Sequence, residues 1–402
     1  MRHKILHIDN FGPVNDAAVE LRTINMFIGE QSIGKSTIAK LITIFTDYIS
    51  LCKLVHGGVP MWELLLKEYG LDIYKHYPYH ITYDMEQDKD TDHEAGSFHL
   101  EIIRGKIKCY MTEGGKMITN RKSIINKIIC LKRIYHSEAM EKITSGIRNE
   151  DILELLTNSL YVPAERIIYS VITNLWAALN LADSSVPKNL LRFMVELNNA
   201  KSEYPDFQIR LLDASFTHKG TEDYIVIDPH KTPIPMKAAS SGIQSLVPLL
   251  LVLHYAINKR EYSSFVIEEP ECNLFPTKQV ELLKEILKVA RYPYRTLTIT
   301  THSPYMLSAM NNILFAGMLI EKYGEGLKEY ISQIIPKESL ISVSECSVYS
   351  LGANINDGVY CRSLLDEETG MIDFNSLDQV SEEMSDEFDA LQRAAMKFAT
   401  AK

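Results

Sequence analysis

Three short stretches hold the residues whose types and spacing could do chemistry. Gly29, Glu30, Gln31, Ser32, Ile33, Gly34, Lys35, Ser36 and Thr37 fit the spacing G-x-x-x-x-G-K-[ST], a loop whose backbone amides cradle phosphates. In such a loop Lys35 would reach the β- and γ-phosphates of ATP, and Ser36 would offer its hydroxyl to Mg2+. The second stretch is Phe265-Val266-Ile267-Glu268-Glu269-Pro270-Glu271, an apolar run that ends in adjacent acids. Glu268 would contact the metal or its waters, and Glu269 would polarise an attacking water. In the third, Thr301-His302-Ser303-Pro304 follows another apolar run, so His302 would reach the γ-phosphate.

A further stretch, Ala239-Ser240-Ser241-Gly242-Ile243-Gln244, starts a helix. Ser241 and Gly242 at its N-terminus would bind an anion through the free amides of the first turn. One chain has no use for two such sites on one γ-phosphate, whereas two chains do. The sequence therefore predicts a dimer, or a higher oligomer of dimers, closing around shared ATP.

These residues must be positioned by strands and helices. Residues 24–28 read as a strand, and Ile38, Leu41, Ile42 and Phe45 recur at helical spacing. The helix would aim its positive end at the phosphates. From residue 238, a helix, a strand over 264–267, a helix over 277–290 and a strand over 296–300 alternate. That order predicts an α/β fold with a largely parallel sheet covered on both faces, and acids at the strand ends would lie where such sheets bind ligands. Around this core, residues 1–28 read as short strands and 38–70 as helices broken at Gly57-Gly58-Val59-Pro60. Strands are expected over 98–103, 107–111, 160–162, 207–212 and 224–227, with helices running to 157 and over 171–202. The end reads as β runs at 342–351 and 359–365, then a helix over 385–398. The expected division is an ATP-binding core of 1–50 with 238–340, a mixed β/helical insertion lobe of 51–237, and a C-terminal β-hairpin and acidic helix in 341–402.

The 402 residues are 46% hydrophobic, ample for a packed interior. No apolar run approaches the roughly 20 residues that cross a bilayer, so no membrane association is expected. Six scattered cysteines with no C-x-x-C pair fit buried thiols in a reducing compartment, and the cytoplasm is the expected location. A net charge of −10 argues against a surface that binds nucleic acid everywhere. Residues 104–133 nevertheless carry nine Lys/Arg and one acid, Glu113: either a solvated face, or a surface for a nucleic-acid backbone or a partner. Between residues 366 and 389 lie ten acids and no base, read as a solvated face. Asp88, Asp90 and Asp92 lack the glycine and closing acid of a calcium loop, and Pro78 separates His76 from His80.

In this order, GEQSIGKST, SSGIQ, FVIEEPE and TTHSP resemble the two Walker motifs, signature and switch-histidine loop of the ATP-binding-cassette superfamily. The N-terminal ILHIDNFGPV, the VPAER element and the EEPE run look most like its soluble branch: the RecF/structural-maintenance-of-chromosomes and overcoming-lysogenization-defect ATPases. The resemblance covers 1–45 and 238–310. It implies an ATPase head with N-terminal antiparallel strands, working as sensor or scaffold in bacterial anti-phage defence or DNA maintenance beside a separate effector protein. The cytosolic subunit of a transporter and an ATP-dependent nuclease are the alternatives. The chain departs from the pattern at Glu268, where Asp is usual, at Ile243, where the signature has a second glycine, and in a missing glutamine loop, for which Gln87 is a poor candidate. In relatives an arginine near the nucleotide sometimes follows a strand as Arg166 does; a helix-start ion pair is its plainer role.

Overall fold

The computed structural model describes residues 2–87, 96–133, 158–171, 187–227, 232–259, 261–292, 295–354, 359–366, 368–373 and 376–400. The Asp88-Asp90-Asp92 run, the helix expected to reach 157 and residues 172–186 of the next expected helix lie outside the described residues.

Six strands carry the motifs, in the order β16 (Val359–Ser363), β15 (Cys346–Asn354), β3 (Ile24–Gly29), β14 (Thr296–Thr301), β13 (Tyr262–Glu268) and β8 (Asn158–Val162). All neighbours are parallel except β15 and β16. Strands covered on both faces are buried along nearly their whole length and mostly apolar; every residue of β3 is buried, as are six of the seven in β13. Alternate side chains then feed two cores. Ile24, Met26 and Ile28 pack with α6 (Ser241–Asn258), α7 (Pro276–Leu287) and α8 (Pro304–Tyr323). Phe27 and Val266 face α1 (Lys35–Thr46) on the other side.

Over α1 lies a second sheet, antiparallel throughout, ordered β2 (Val14–Leu21), β1 (Arg2–Phe11), β4 (His80–Gln87), β5 (Gly96–Ile103), β6 (Lys106–Glu113) and β7 (Lys116–Ile118). Aromatic rings join it to the helices: Phe45 of α1 stacks on Tyr83 and on Trp62 of α3 (Val59–Glu68), and Trp62 Nε1 donates to Tyr79 Oη at 2.7 Å. The first helical stretch breaks where its chemistry requires it. Asp47 accepts the Ile49 and Ser50 amides to cap α2 (Tyr48–Gly57), and Gly58 at φ 61° with Pro60 starts α3. The hairpin of β6 and β7 is followed by α4 (Arg121–Arg133).

A small third sheet runs β12 (Ile234–Pro235), β11 (Glu222–Ile227), β10 (Ala214–Lys219), β9 (Asp206–Ile209). The sequence reading missed β10, which separates the two strands expected on either side of the turn. A buried ion pair from Lys201 Nζ to Asp223 Oδ2, 2.5 Å, ties this sheet to α5 (Lys188–Glu203).

The expected domain boundaries cut across the central sheet. Its edge strand β8 comes from the expected insertion lobe, and β15, directly beside β3, comes from the expected C-terminal unit. Beyond α8 follow the short α9 (Glu325–Ile331) and the final helix α10 (Ser376–Thr400), longer than the 385–398 expected. The 18 residues of α6 are apolar and long enough to cross a membrane by composition. In the fold they are a core helix, with Leu246, Val247, Leu249, Leu251 and Val252 buried.

Candidate active site

The turn between β3 and α1 brings the first motif to the C-terminal edge of the central sheet. Gly29 and Gly34 take φ 146° and 104°, left-handed backbone that glycine adopts freely. Gly34 also has no room for more: a Cβ there would lie 2.7 Å from Tyr360 Oη. Glu30, Gln31, Ser32 and Ser36 are exposed, Ile33 is half-buried, and Thr37 is buried in α1. No acid occupies the first turn of α1, so its amides keep their positive end for an anion. Lys35 is buried, its Nζ donating to Gly29 O at 2.8 Å and Glu30 O at 2.6 Å. Burial brings its pKa down to about 8, against the pull of Glu269, Glu271 and Glu268.

The two acids at the end of β13 sit in different surroundings. Glu268 is 3% exposed, and burial pushes its carboxyl up to about 7 despite Lys40 and a hydrogen bond from Tyr161. Glu269 leaves the strand at φ 42°, its amide donating to Thr300 O at 2.9 Å. Its Oε1 is 3.3 Å from His302 Nε2, and its Oε2 accepts from Cys272 Sγ at 3.2 Å. The hydrogen bond from His302 is the largest influence on Glu269 and holds it below the ordinary carboxylate range, although burial opposes it. His302 Nδ1 lies 3.5 Å from Lys35 Nζ. One neutral tautomer serves both contacts, with Nε2–H towards Glu269 and a bare Nδ1 towards Lys35. Lys35, His302 and Glu269 thus form one row, drawn from three motifs far apart in sequence.

Ser241 and Gly242 lie apart from that row. Ser241 is exposed at the first turn of α6. Among the described residues no hydrogen bond joins either one to Lys35, Glu269 or His302. A Cβ on Gly242 would fall 2.7 Å from Asn273 O, so only glycine lets this helix end approach the loop that follows the acids. Gln244 Nε2 donates to the carbonyls of Met236, Lys237 and Ala239 and fixes the approach to the helix.

Several residues that shape the site were missed in the sequence reading. Glu271 Oε1 accepts from Thr301 Oγ1 at 2.6 Å and from the His302 amide at 2.8 Å, which locks the histidine loop to the acid loop. Gln279 adds a second tie, donating to Leu274 O at 2.8 Å while accepting from Ser303, the cap of α8. Tyr360 of β16 hydrogen-bonds to Ile33 O and braces the phosphate loop. Glu271 stood in a run already singled out, whereas nothing in the sequence links Tyr360 to a loop 327 residues away. Gln87 lies on β4 in the outer sheet. Arg166 forms no helix-start ion pair among the described residues: it is wholly buried behind the two acids, and its hydrogen bonds go to backbone carbonyls, those of Glu268 and Glu269 among them.

The donor set beside this row fits Mg2+. Ser36 lies close enough to Glu268 to lower its carboxyl pKa slightly, both present hard oxygen donors, and Glu268 Oε1 is buried without a partner. These two side chains would hold the ion, which would neutralise charge on the phosphates. Apart from them, the described residues contain no group of three or more His, Cys, Asp and Glu able to hold a metal. Lys35 and the helix end can bind a triphosphate, and Glu269 can accept a proton from water at its outer end.

The family model of the AAA ATPase domain matches residues 1–167 and 165–307. No curated protein sequence matches the chain. Similar solved structures include an SmcHead bound to the C-winged helix domain of ScpA, at 10% identity, covering 91% of this chain and 98% of that one with a TM-score of 0.45. The SMC head domain from Thermotoga maritima is 14% identical over 77% of this chain and 92% of its own, with a TM-score of 0.38. A third, the Smc head domain with an extended coiled coil bound to the C-terminal domain of ScpA derived from Pyrococcus furiosus, is 10% identical and covers 96% and 99%, with a TM-score of 0.41. With its phosphate loop, paired acids and histidine loop all inside the matched residues, the chain belongs to the AAA ATPase domain family.

Proposed function

We infer that this protein hydrolyses ATP, that two copies close around the bound nucleotide, and that the closure gates a separate effector protein or a nucleic acid. One observation carries the reading: Lys35, His302 and Glu269 stand in a single row with Glu268 and Ser36 paired alongside. Lys35 would neutralise the γ-phosphate, His302 would sense it, and Glu269, kept ionised by its hydrogen bonds, would orient and deprotonate the water. Sharing of the nucleotide is supported by the exposed Ser241 at a second helix N-terminus, and by Phe275, 74% exposed just past Asn273.

For a partner, the basic stretch offers exposed Arg104, Lys106, Lys116 and Lys122, while Lys108 and Lys127 pair with Glu101 and Glu113. A bacterial defence or DNA-maintenance system is the setting that fits such a switch. The test is phosphate release from ATP by the purified chain with Mg2+. Turnover lost in Lys35→Ala supports the reading; equal turnover in that variant refutes it.

A further inference from the structure

Arg166 is 0% exposed, and its guanidinium has five N–H donors to satisfy. Nε donates to Ser245 O at 3.2 Å, Nη1 to Pro163 O at 3.1 Å and Glu268 O at 2.9 Å, and Nη2 to Glu269 O at 2.8 Å and Pro270 O at 3.0 Å. A buried charge spent on main-chain oxygens does not stabilise a fold cheaply, since desolvation opposes it. What it does provide is a fixed geometry for three consecutive peptides around the catalytic acid. That acid needs fixing: Glu269 holds a left-handed φ of 42°, a conformation that a non-glycine residue keeps only when its surroundings enforce it.

The other end of the same guanidinium is on α6. Ser245 lies in the turn after Ser241 and Gly242, and Gly242 itself abuts Asn273 of the acid loop. The helix end expected to meet a second copy's nucleotide and the backbone of the catalytic acid therefore share one rigid connector. We propose that Arg166 is a positioning residue that transmits engagement of Ser241 and Gly242 to the Glu269 carboxylate, so that hydrolysis is completed only in the closed pair. This rests on the functional reading above, and deepens it by naming how closure reaches the chemistry.

The test pairs Arg166→Lys, which keeps the charge but cannot reach five carbonyls, with Glu269→Gln. Arg166→Lys is expected to bind a fluorescent ATP analogue within about twofold of the parent, to leave KM unchanged and to lower kcat about tenfold or more. Added to Glu269→Gln it should lower the residual rate by less than about twofold, because the group it positions is already gone. An unchanged kcat, a rise in KM alone, or the same fold loss in both backgrounds would overturn the proposal. Full turnover by Glu269→Gln alone would instead refute the underlying reading, and the proposal with it. Hydrogen exchange on the unmodified chain supplies a measurement that needs no variant to fold. With a non-hydrolysable ATP analogue, amides of 241–250 and 266–275 should gain protection together; protection confined to 241–250 would contradict the coupling.

Discussion

Along β13 the burial is nearly continuous and the strand ends in Glu268, whereas along β6 exposed Lys106 and Lys108 alternate with half-buried Ile107 and Cys109. Both belong to six-stranded sheets of the same chain. The largely parallel sheet is covered on both faces, so polar side chains along it such as Asn25, Ser264 and Thr298 are buried, and groups free to meet a ligand lie at the strand ends. The antiparallel sheet keeps one face wet at its β6–β7 edge, so its polar residues spread along the strands and can meet only something that docks from outside. The difference matches the proposed division between reaction and recognition: one sheet concentrates a few groups in a row, and the other displays dispersed charges.

Changes in the first sheet should therefore act steeply and changes in the second weakly. Phe265→Ala empties a fully buried position in β13 and should cost about 3–5 kcal/mol in chemical denaturation, while exposed Lys106→Ala on β6 stays within about 0.5 kcal/mol. Equal losses at the two positions would break the contrast. Glu269→Gln should reduce kcat by about 100-fold or more while sparing ATP binding, since general-base help is worth two to four orders of magnitude. Lys35→Ala should weaken ATP binding by roughly 10- to 100-fold, the worth of a charge-assisted hydrogen bond, as read by displacement of a fluorescent nucleotide.

Glu268 gives a prediction with a defined sign. Its folded pKa of about 7 lies above the ordinary 4.5, so the nucleotide-free fold binds the extra proton and loses stability as pH rises from 4.5 to 7. Glu268→Gln should match the parent's Tm near pH 4.5, exceed it increasingly up to pH 7, and hold a constant advantage above that. A constant difference at every pH would mean that the carboxyl is not strained by burial. The smallest effect is expected on the basic edge: Lys106→Glu with Lys122→Glu should leave turnover within about twofold. In binding to a labelled DNA duplex, the same pair should reduce the slope of log affinity against log salt by roughly one for each phosphate no longer neutralised. Unaltered binding with impaired turnover would move those charges from recognition to catalysis.

The candidate site was legible in the sequence because phosphate chemistry imposes residue types at fixed spacing, and the fold brings Lys35, His302 and Glu269 together in one row. The parallel order of the central strands was readable for a similar reason, as apolar runs alternating with helices. What escaped were the supports, which depend on contacts with no local signature. Tyr360 under the phosphate loop and β15 beside β3 come from a region that reads as a separate tail. Arg166 reads as an arginine near the nucleotide or in a helix-start ion pair, and its real partners stay hidden because five backbone carbonyls leave no pattern of charged residues in the sequence. Strand β10 was passed over because Ala214–Lys219 alternates small, polar and aromatic residues rather than forming an apolar run.

The proposed function stands or falls on two copies of the protein sharing each ATP. Its most direct test is the solution mass of Glu269→Gln by light scattering, with ATP and Mg2+ or with ADP. Twice the chain mass is expected with ATP, the single mass with ADP, and the single mass with ATP once Ser241→Arg is added. A single mass under all three conditions, with ATP shown to be bound, would contradict it.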